Sequence, residues 1–166
     1  MSLEATITAT LRATQTGSND FGGPSFTPRV EKSVTFSDAD ILWVDERTVA
    51  TGANDDVDLA GVLTDAFGAT ITAAELVAVM IINGPKTGSA NTTNLTIGAG
   101  SNPFVGFLGG TSPTIGPLKP GAVFMLASND AAGIGTVTAS TADILRITNS
   151  SGASATYQIA ILGRTS

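Results

Sequence analysis

The chain has 166 residues, with no Cys, no His, and only 13% charged residues against 42% hydrophobic ones. Without His there is no imidazole base and no His-ligated metal; without Cys there is no thiolate nucleophile, disulfide framework, zinc ribbon or iron-sulfur cluster. Eight basic against 14 acidic side chains, a net charge of -6, argue against a nucleic-acid partner, because phosphate contacts need Lys and Arg in number.

The charge is unevenly spread. Residues 1–83 hold 4 basic and 12 acidic side chains, whereas residues 84–166 hold 4 basic and 2 acidic ones. The C-terminal half takes its polarity from Thr, Ser and Asn, so part of its surface is expected to be apolar or covered, as in a subunit of an assembly. A chain of this length supports one domain, or one domain with an extended arm. The opening MSLEATITATLRATQTG lacks the basic and apolar regions of a secretory signal, which predicts no export by that route. The longest apolar runs, Leu76 to Ile82 and Ala122 to Ala127, fall far short of the ~20 residues that span a bilayer. They read as core strands, and no membrane partner is expected.

In chain order, Leu3, Ala5, Ile7, Ala9, Leu11 and Ala13 alternate with Glu4, Thr6, Thr8, Thr10, Arg12 and Thr14, the period-two signature of a strand. Gly17 to Pro28 breaks this pattern with three Gly and two Pro and reads as a loop or linker. Residues 1–28 are therefore expected to form an N-terminal strand or arm with its linker, and 29–166 the main domain. Strands follow at Val30 to Phe36 and Ile41 to Val44. Thr51 to Asp58 reads as a polar turn, with a short strand at Leu59 to Leu63. Thr72 and Glu75 have capping-box spacing, but the β-branched run after them allows at most one helical turn before a buried strand. Further strands are expected at Asn94 to Gly98, Phe104 to Leu108, Gly121 to Ser128, Thr136 to Ala139, Ile144 to Asn149 and Thr156 to Gly163, the last two joined as a hairpin. Short strands punctuated by Gly, Pro, Asn and Ser, with no long helix, predict an all-β fold: an antiparallel β-sandwich or jelly roll with an extended N-terminal strand or arm.

Few residues suggest chemistry. Asp55, Asp56 and Asp58 are hard oxygen ligands of the kind calcium takes, but no Glu falls where a bidentate ligand belongs, and a solvated turn is the simpler reading. Asp38, Asp40, Asp45 and Glu46 read as polar punctuation at strand ends. Glycosidase chemistry needs two carboxyls about 5–10 Å apart; Glu75 with an Asp would serve, yet Glu75 has a simpler role as the partner of Thr72. Nucleophile-elbow, S-x-x-K and P-loop motifs are missing, and Gly98 and Gly100 begin a G-x-G that Pro103 ends as a turn. The sequons at Asn91, Asn94 and Asn149 read as products of Asn and Thr richness. Trp43 and Tyr157 lie in apolar patterns and read as core rather than as a sugar-stacking platform. No residue is assigned a catalytic, cofactor-binding or metal-binding role, no cofactor is expected, and the chain reads as non-enzymatic.

The segments Asp58-Leu-Ala-Gly-Val-Leu-Thr-Asp65, Leu76 to Asn83, Leu118-Lys-Pro-Gly-Ala-Val-Phe124 and Asp143-Ile-Leu-Arg-Ile-Thr-Asn-Ser150, in that order, resemble small β-sandwich proteins that decorate or cement the heads of tailed bacteriophages. The resemblance covers residues 55–163 and rests on the order of strands and turns. It implies a virion protein made in the host cytoplasm and bound to the capsid surface. It also implies the major capsid protein and further copies of itself, commonly a trimer, as partners. A tail-fibre or receptor- and glycan-binding β-module is the alternative. Residues 1–16, alternating and tethered by a Gly/Pro stretch, suggest an arm that adds a strand to a neighbour's sheet or an edge strand of its own sheet.

Overall fold

The computed structural model describes residues 3–150 and 152–165, and these form strands and turns with no helix. Fifteen strands run in order: β1 (Ala5–Arg12), β2 (Gln15–Thr16), β3 (Ser25–Phe26), β4 (Arg29–Phe36), β5 (Ile41–Val49), β6 (Ala53–Asp58), β7 (Ala60–Thr64), β8 (Thr70–Thr72), β9 (Glu75–Ile82), β10 (Leu95–Gly98), β11 (Thr114–Leu118), β12 (Val123–Ala127), β13 (Gly135–Thr136), β14 (Ile144–Asn149) and β15 (Ala155–Arg164).

Eight of them build an antiparallel β-sandwich. Sheet I has the order β11-β10-β14-β6, and sheet II the order β12-β9-β15-β5 with β13 added beside β9. Taken in chain order, the eight pair first with last, β5 with β15, then β6 with β14, β9 with β12 and β10 with β11. This nesting is a long hairpin rolled up on itself, the jelly roll.

The core lies between the sheets. Ile41, Trp43 and Val49 of β5, Val79 and Ile81 of β9, and Tyr157, Ile159 and Ile161 of β15 face Val57, Leu95, Ile97, Leu145 and Ile147 of sheet I. Every second residue of a strand points the same way, and β5, β14 and β15 place large apolar residues at alternate positions facing inward, while β9 is apolar on both faces.

The structure corrects several sequence expectations. The final pair of strands is not a hairpin. β14 belongs to sheet I and β15 to sheet II, since each has one apolar face and both faces bury against each other across the core. Ala53–Asp58, read as a polar turn, is a strand paired along its whole length with β14. Phe104–Leu108, read as a strand, is a turn in which the N–H of Leu108 and of Gly109 both donate to the Val105 carbonyl. It packs so closely that a Cβ on Gly106 would lie 2.5 Å from the Cα of Gly135. No helical turn forms at Thr72, and Glu75 pairs with Arg164 at 3.0 Å rather than with Thr72.

The N-terminal region is a ribbon. β1 pairs with β4 over eight residues, from Ala5 opposite Phe36 to Arg12 opposite Arg29. β2 and β3 continue the pairing, and the N–H of Gly17 donates to the Pro24 carbonyl near the tip. The expected linker Gly17–Pro28 is thus the turning end of one hairpin, and the division expected at residue 28 falls between β3 and β4.

Candidate assembly surface

The hairpin has two chemically distinct faces. On one, hydroxyls bond across the ribbon, Thr6 with Thr35 at 3.3 Å and Thr8 with Ser33 at 2.8 Å, while Thr10 donates to Glu31 at 2.9 Å. On the other, Ala5 opposes Phe36, Ile7 opposes Val34, Ala9 opposes Lys32 and Leu11 opposes Val30. Opposed residues on one face lie close enough for side-chain contact, so the apolar face is a stripe two residues wide.

Only the base of that stripe is covered. Leu3, Ala5, Ile7, Val34 and the buried Phe36 pack with Ala39, Val77, Ala78, Leu162 and Ala127, a second, smaller core on the outer side of sheet II. Beyond Ile7 the ribbon leaves the sandwich. Leu11 is 60% exposed and Val30 69%, and Phe21 and Phe26 lie open toward the tip. From Ala9 to the turn at Asn19, at roughly 3.3 Å per residue, the ribbon reaches on the order of 30 Å.

The outer side of sheet II is itself apolar. The register places Leu42, Leu162, Ala78 and Ala127 in one row across the strands and Val44, Ala160, Met80 and Met125 in the next. The hairpin base covers Leu162, Ala78 and Ala127 of the first row and leaves Leu42 45% exposed. A groove of about 360 Å³ runs beside it, floored by Leu42, Met80, Ala160 and Leu162 and walled by Glu4 and by Ala5, Thr6 and Ile7 of β1. A larger groove, about 560 Å³, shares Leu42 and continues past Val44 to Phe67, with Asp40, Asp45 and Asp65 among its lining residues. Phe67 is held out by the β7–β8 turn, where Asp65 Oδ1 accepts the N–H groups of Phe67 at 2.8 Å and Ala69 at 2.9 Å. Large apolar side chains in contiguous exposed patches mark interaction surfaces on proteins.

The acidic residues singled out in the sequence are drawn to different arginines and turns, with Asp45 and Asp55 sharing Arg47 and Asp38 and Glu75 sharing Arg164. Asp55 sits on the inward side of β6, where Arg47 holds it with two bonds of 2.6 and 2.7 Å and the Tyr157 hydroxyl donates to it at 2.9 Å. Burial pushes the Asp55 carboxyl up, and the bonds from Arg47 and Tyr157 with the Arg47 charge outweigh it, holding the group below its ordinary value. Tyr157 moves the other way. Burial, then the Asp55 charge, raise its hydroxyl well above the ordinary tyrosine value. Asp56 lies on the opposite side of β6 and takes Arg146 at 2.7 Å, while Asp58 accepts the Ala60 N–H at 2.9 Å. Asp38 and Glu75 both pair with Arg164, a buried guanidinium that also donates to the carbonyls of Asp130 and Ala131. Among the described residues no three acidic groups come together as a metal-binding set. Trp43 and Tyr157 are buried in the main core, as their patterns predict.

Sequence reasoning missed the buried amides. Asn83 donates to the carbonyls of Thr93 and Leu118 at 2.9 and 2.8 Å. Asn91 donates to Asn83 Oδ1 and to the Thr156 carbonyl, and accepts the Thr156 N–H. Asn149 bridges the carbonyls of Val49 and Ala153. Two sequon asparagines, Asn91 and Asn149, thus staple loops to strands; an Asn closing an apolar strand, as Asn83 and Asn149 do, was the available signal.

Comparison of the chain with known protein families, with curated proteins and with solved structures finds no match.

Proposed function

We propose that this protein is a non-enzymatic virion structural protein, a decoration or cement protein that binds the major capsid protein on the outer surface of a phage head and stabilises the shell through many weak contacts. The observation that carries the reading is the half-covered hairpin. A ribbon with one hydroxyl face and one apolar face, extending on the order of 30 Å from a closed sandwich, is built to touch another chain, since its exposed aliphatics and aromatics gain nothing from water.

Three further features support it. Jelly rolls recur in viral capsid and lectin domains. The resemblance of the sequence segments between residues 55 and 163 to head-decorating proteins suggests the same role, although the closing pair of strands does not form a hairpin. Asp55, Asp56, Asp58 and Glu75, singled out in the sequence, are engaged in ion pairs and a turn that hold strands and loops together, which are structural roles. Repeated copies on a regular lattice bind tightly even when each contact is weak, because one attachment raises the effective concentration for the next.

Co-sedimentation of the purified protein with purified phage shells tests the reading. Saturable binding at a fixed copy number per shell is expected. Protein left in the supernatant at every ratio overturns it, and specific signals on a glycan array would then favour a glycan-binding module.

A further inference from the structure

The ribbon and the groove beside it match each other. Ala5 and Ile7, which seat on the molecule's own sheet II, share a face with Ala9 and Leu11, which seat on nothing. The row next to the covered one, Val44, Ala160, Met80 and Met125, continues the same apolar floor; Val44 is 65% exposed. Charge matches as well. The walls and rim of the two grooves carry Glu4, Asp40, Asp45 and Asp65 and no basic residue. Arg12 and Arg29 of the outer hairpin lie on its hydroxyl face, where Arg29 pairs with Glu31, so the cation on the side that meets the groove is Lys32. Lys32 lies on the apolar face, opposite Ala9. Finally, β1, which walls the smaller groove, pairs only with β4 among the described residues, which leaves its other edge open to a further strand.

From this match we infer that the groove on the outer face of sheet II is the seat for the outer half of the hairpin of a second copy of this chain. Leu11 and Val30 of one copy lie on Met80, Ala160 and Leu42 of another, and Lys32, on the same face, meets the acidic rim. The hairpin base already demonstrates the packing within one molecule, and the neighbour repeats it one row further along the sheet. The contact joins a site on one surface to a different site on another, so it closes either reciprocally between two copies or head to tail around a ring. The inference deepens the decoration reading by supplying the contact through which copies join, and it is tested without shells.

The chain has no native Cys, so introduced thiols report cleanly. Leu11→Cys chains and Met80→Cys chains, purified separately and mixed under mild oxidation, should give a disulfide-linked pair containing one of each; thiols at Leu11 and Thr138, the latter on another part of the molecule, should not. In light scattering the wild-type protein alone should be a dimer or a ring. The double variant Leu11→Asp/Val30→Asp, altered only at exposed positions, should lose roughly two- to threefold in mass with an unchanged melting curve. A wild-type monomer at micromolar concentration, or an oligomer that neither forms the mixed disulfide nor responds to the double variant, overturns the inference. An oligomer that meets both tests but ignores shells leaves it standing and defeats the decoration reading instead.

Discussion

The sandwich and the hairpin arm are both antiparallel sheet with alternating side chains, yet they use the alternation differently. In β14 and β15 the apolar face meets another apolar face inside the molecule, and Leu145, Ile147, Tyr157 and Ile159 are buried. In β1 and β4 only the first two apolar pairs find a partner, and the rest point outward. Identical patterning thus encodes stability where a second sheet lies opposite and association where none does. What decides between them is topology: the jelly roll pairs its eight strands with each other and leaves β1 to β4 outside the nest.

The largest effect that would break this division is in the core. Phe104 is fully buried and packs edge-on against Phe107 at 5.5 Å between ring centres. Phe104→Ala should cost about 3–5 kcal/mol in chemical denaturation, whereas Leu11→Ala on the arm should stay within about 0.5 kcal/mol. A comparable loss at both positions would show that the arm is part of the folding unit.

Next comes the amide staple. Asn83→Ala removes the donor to two buried carbonyls and should cost about 1–3 kcal/mol, read as a lowered denaturation midpoint with the slope preserved. A change in slope would mean that the loops around Thr93 and Leu118 had come loose from the sandwich altogether.

Smaller still is the pH response of the Arg47–Asp55–Tyr157 cluster. The folded Asp55 carboxyl lies below its ordinary 3.8, so its contribution to stability is present above that value and is lost as pH falls through the folded one. Asp55→Asn should therefore be less stable than wild type near neutral pH, with the gap narrowing below about pH 4. For Tyr157 the sign is reversed. Its folded value is raised above 10.0, so the contribution is full below 10.0 and declines as pH rises beyond it. Tyr157 is the only tyrosine, and alkaline absorbance titration should show phenolate appearing above the ordinary value and together with unfolding. A simple titration at the ordinary value in the folded protein would remove Tyr157 from the buried cluster.

The strands whose apolar residues face a core were legible in the sequence. β1, β4, β9, β12, β14 and β15 all fall where alternation or an apolar run places them. β6 was not, because Ala-Asn-Asp-Asp-Val-Asp offers only Val57 and Ala53 to the interior. Its acids are satisfied by Arg47, Tyr157 and Arg146, distant in sequence and invisible to local pattern. Phe104–Leu108 failed in the opposite sense, with apolar residues that fill the core from a turn. The pairing of strands was also out of reach. A short Ser- and Gly-rich connection between two alternating runs reads as a hairpin, and only the presence of both sheets makes β14 and β15 face each other instead of pairing. Of the assembly surface, the arm's alternation was legible. That it folds back as a hairpin was not, since Gly17 to Pro28 carries the turn residues of a linker and of a ribbon tip alike.

The most direct test of the division between core and arm pairs two readouts on one variant, Leu11→Asp/Val30→Asp: its thermal melting and its co-sedimentation with phage shells. Melting unchanged from wild type with co-sedimentation lost is the predicted result. Melting unchanged with full binding retained would contradict the assignment of the arm to assembly.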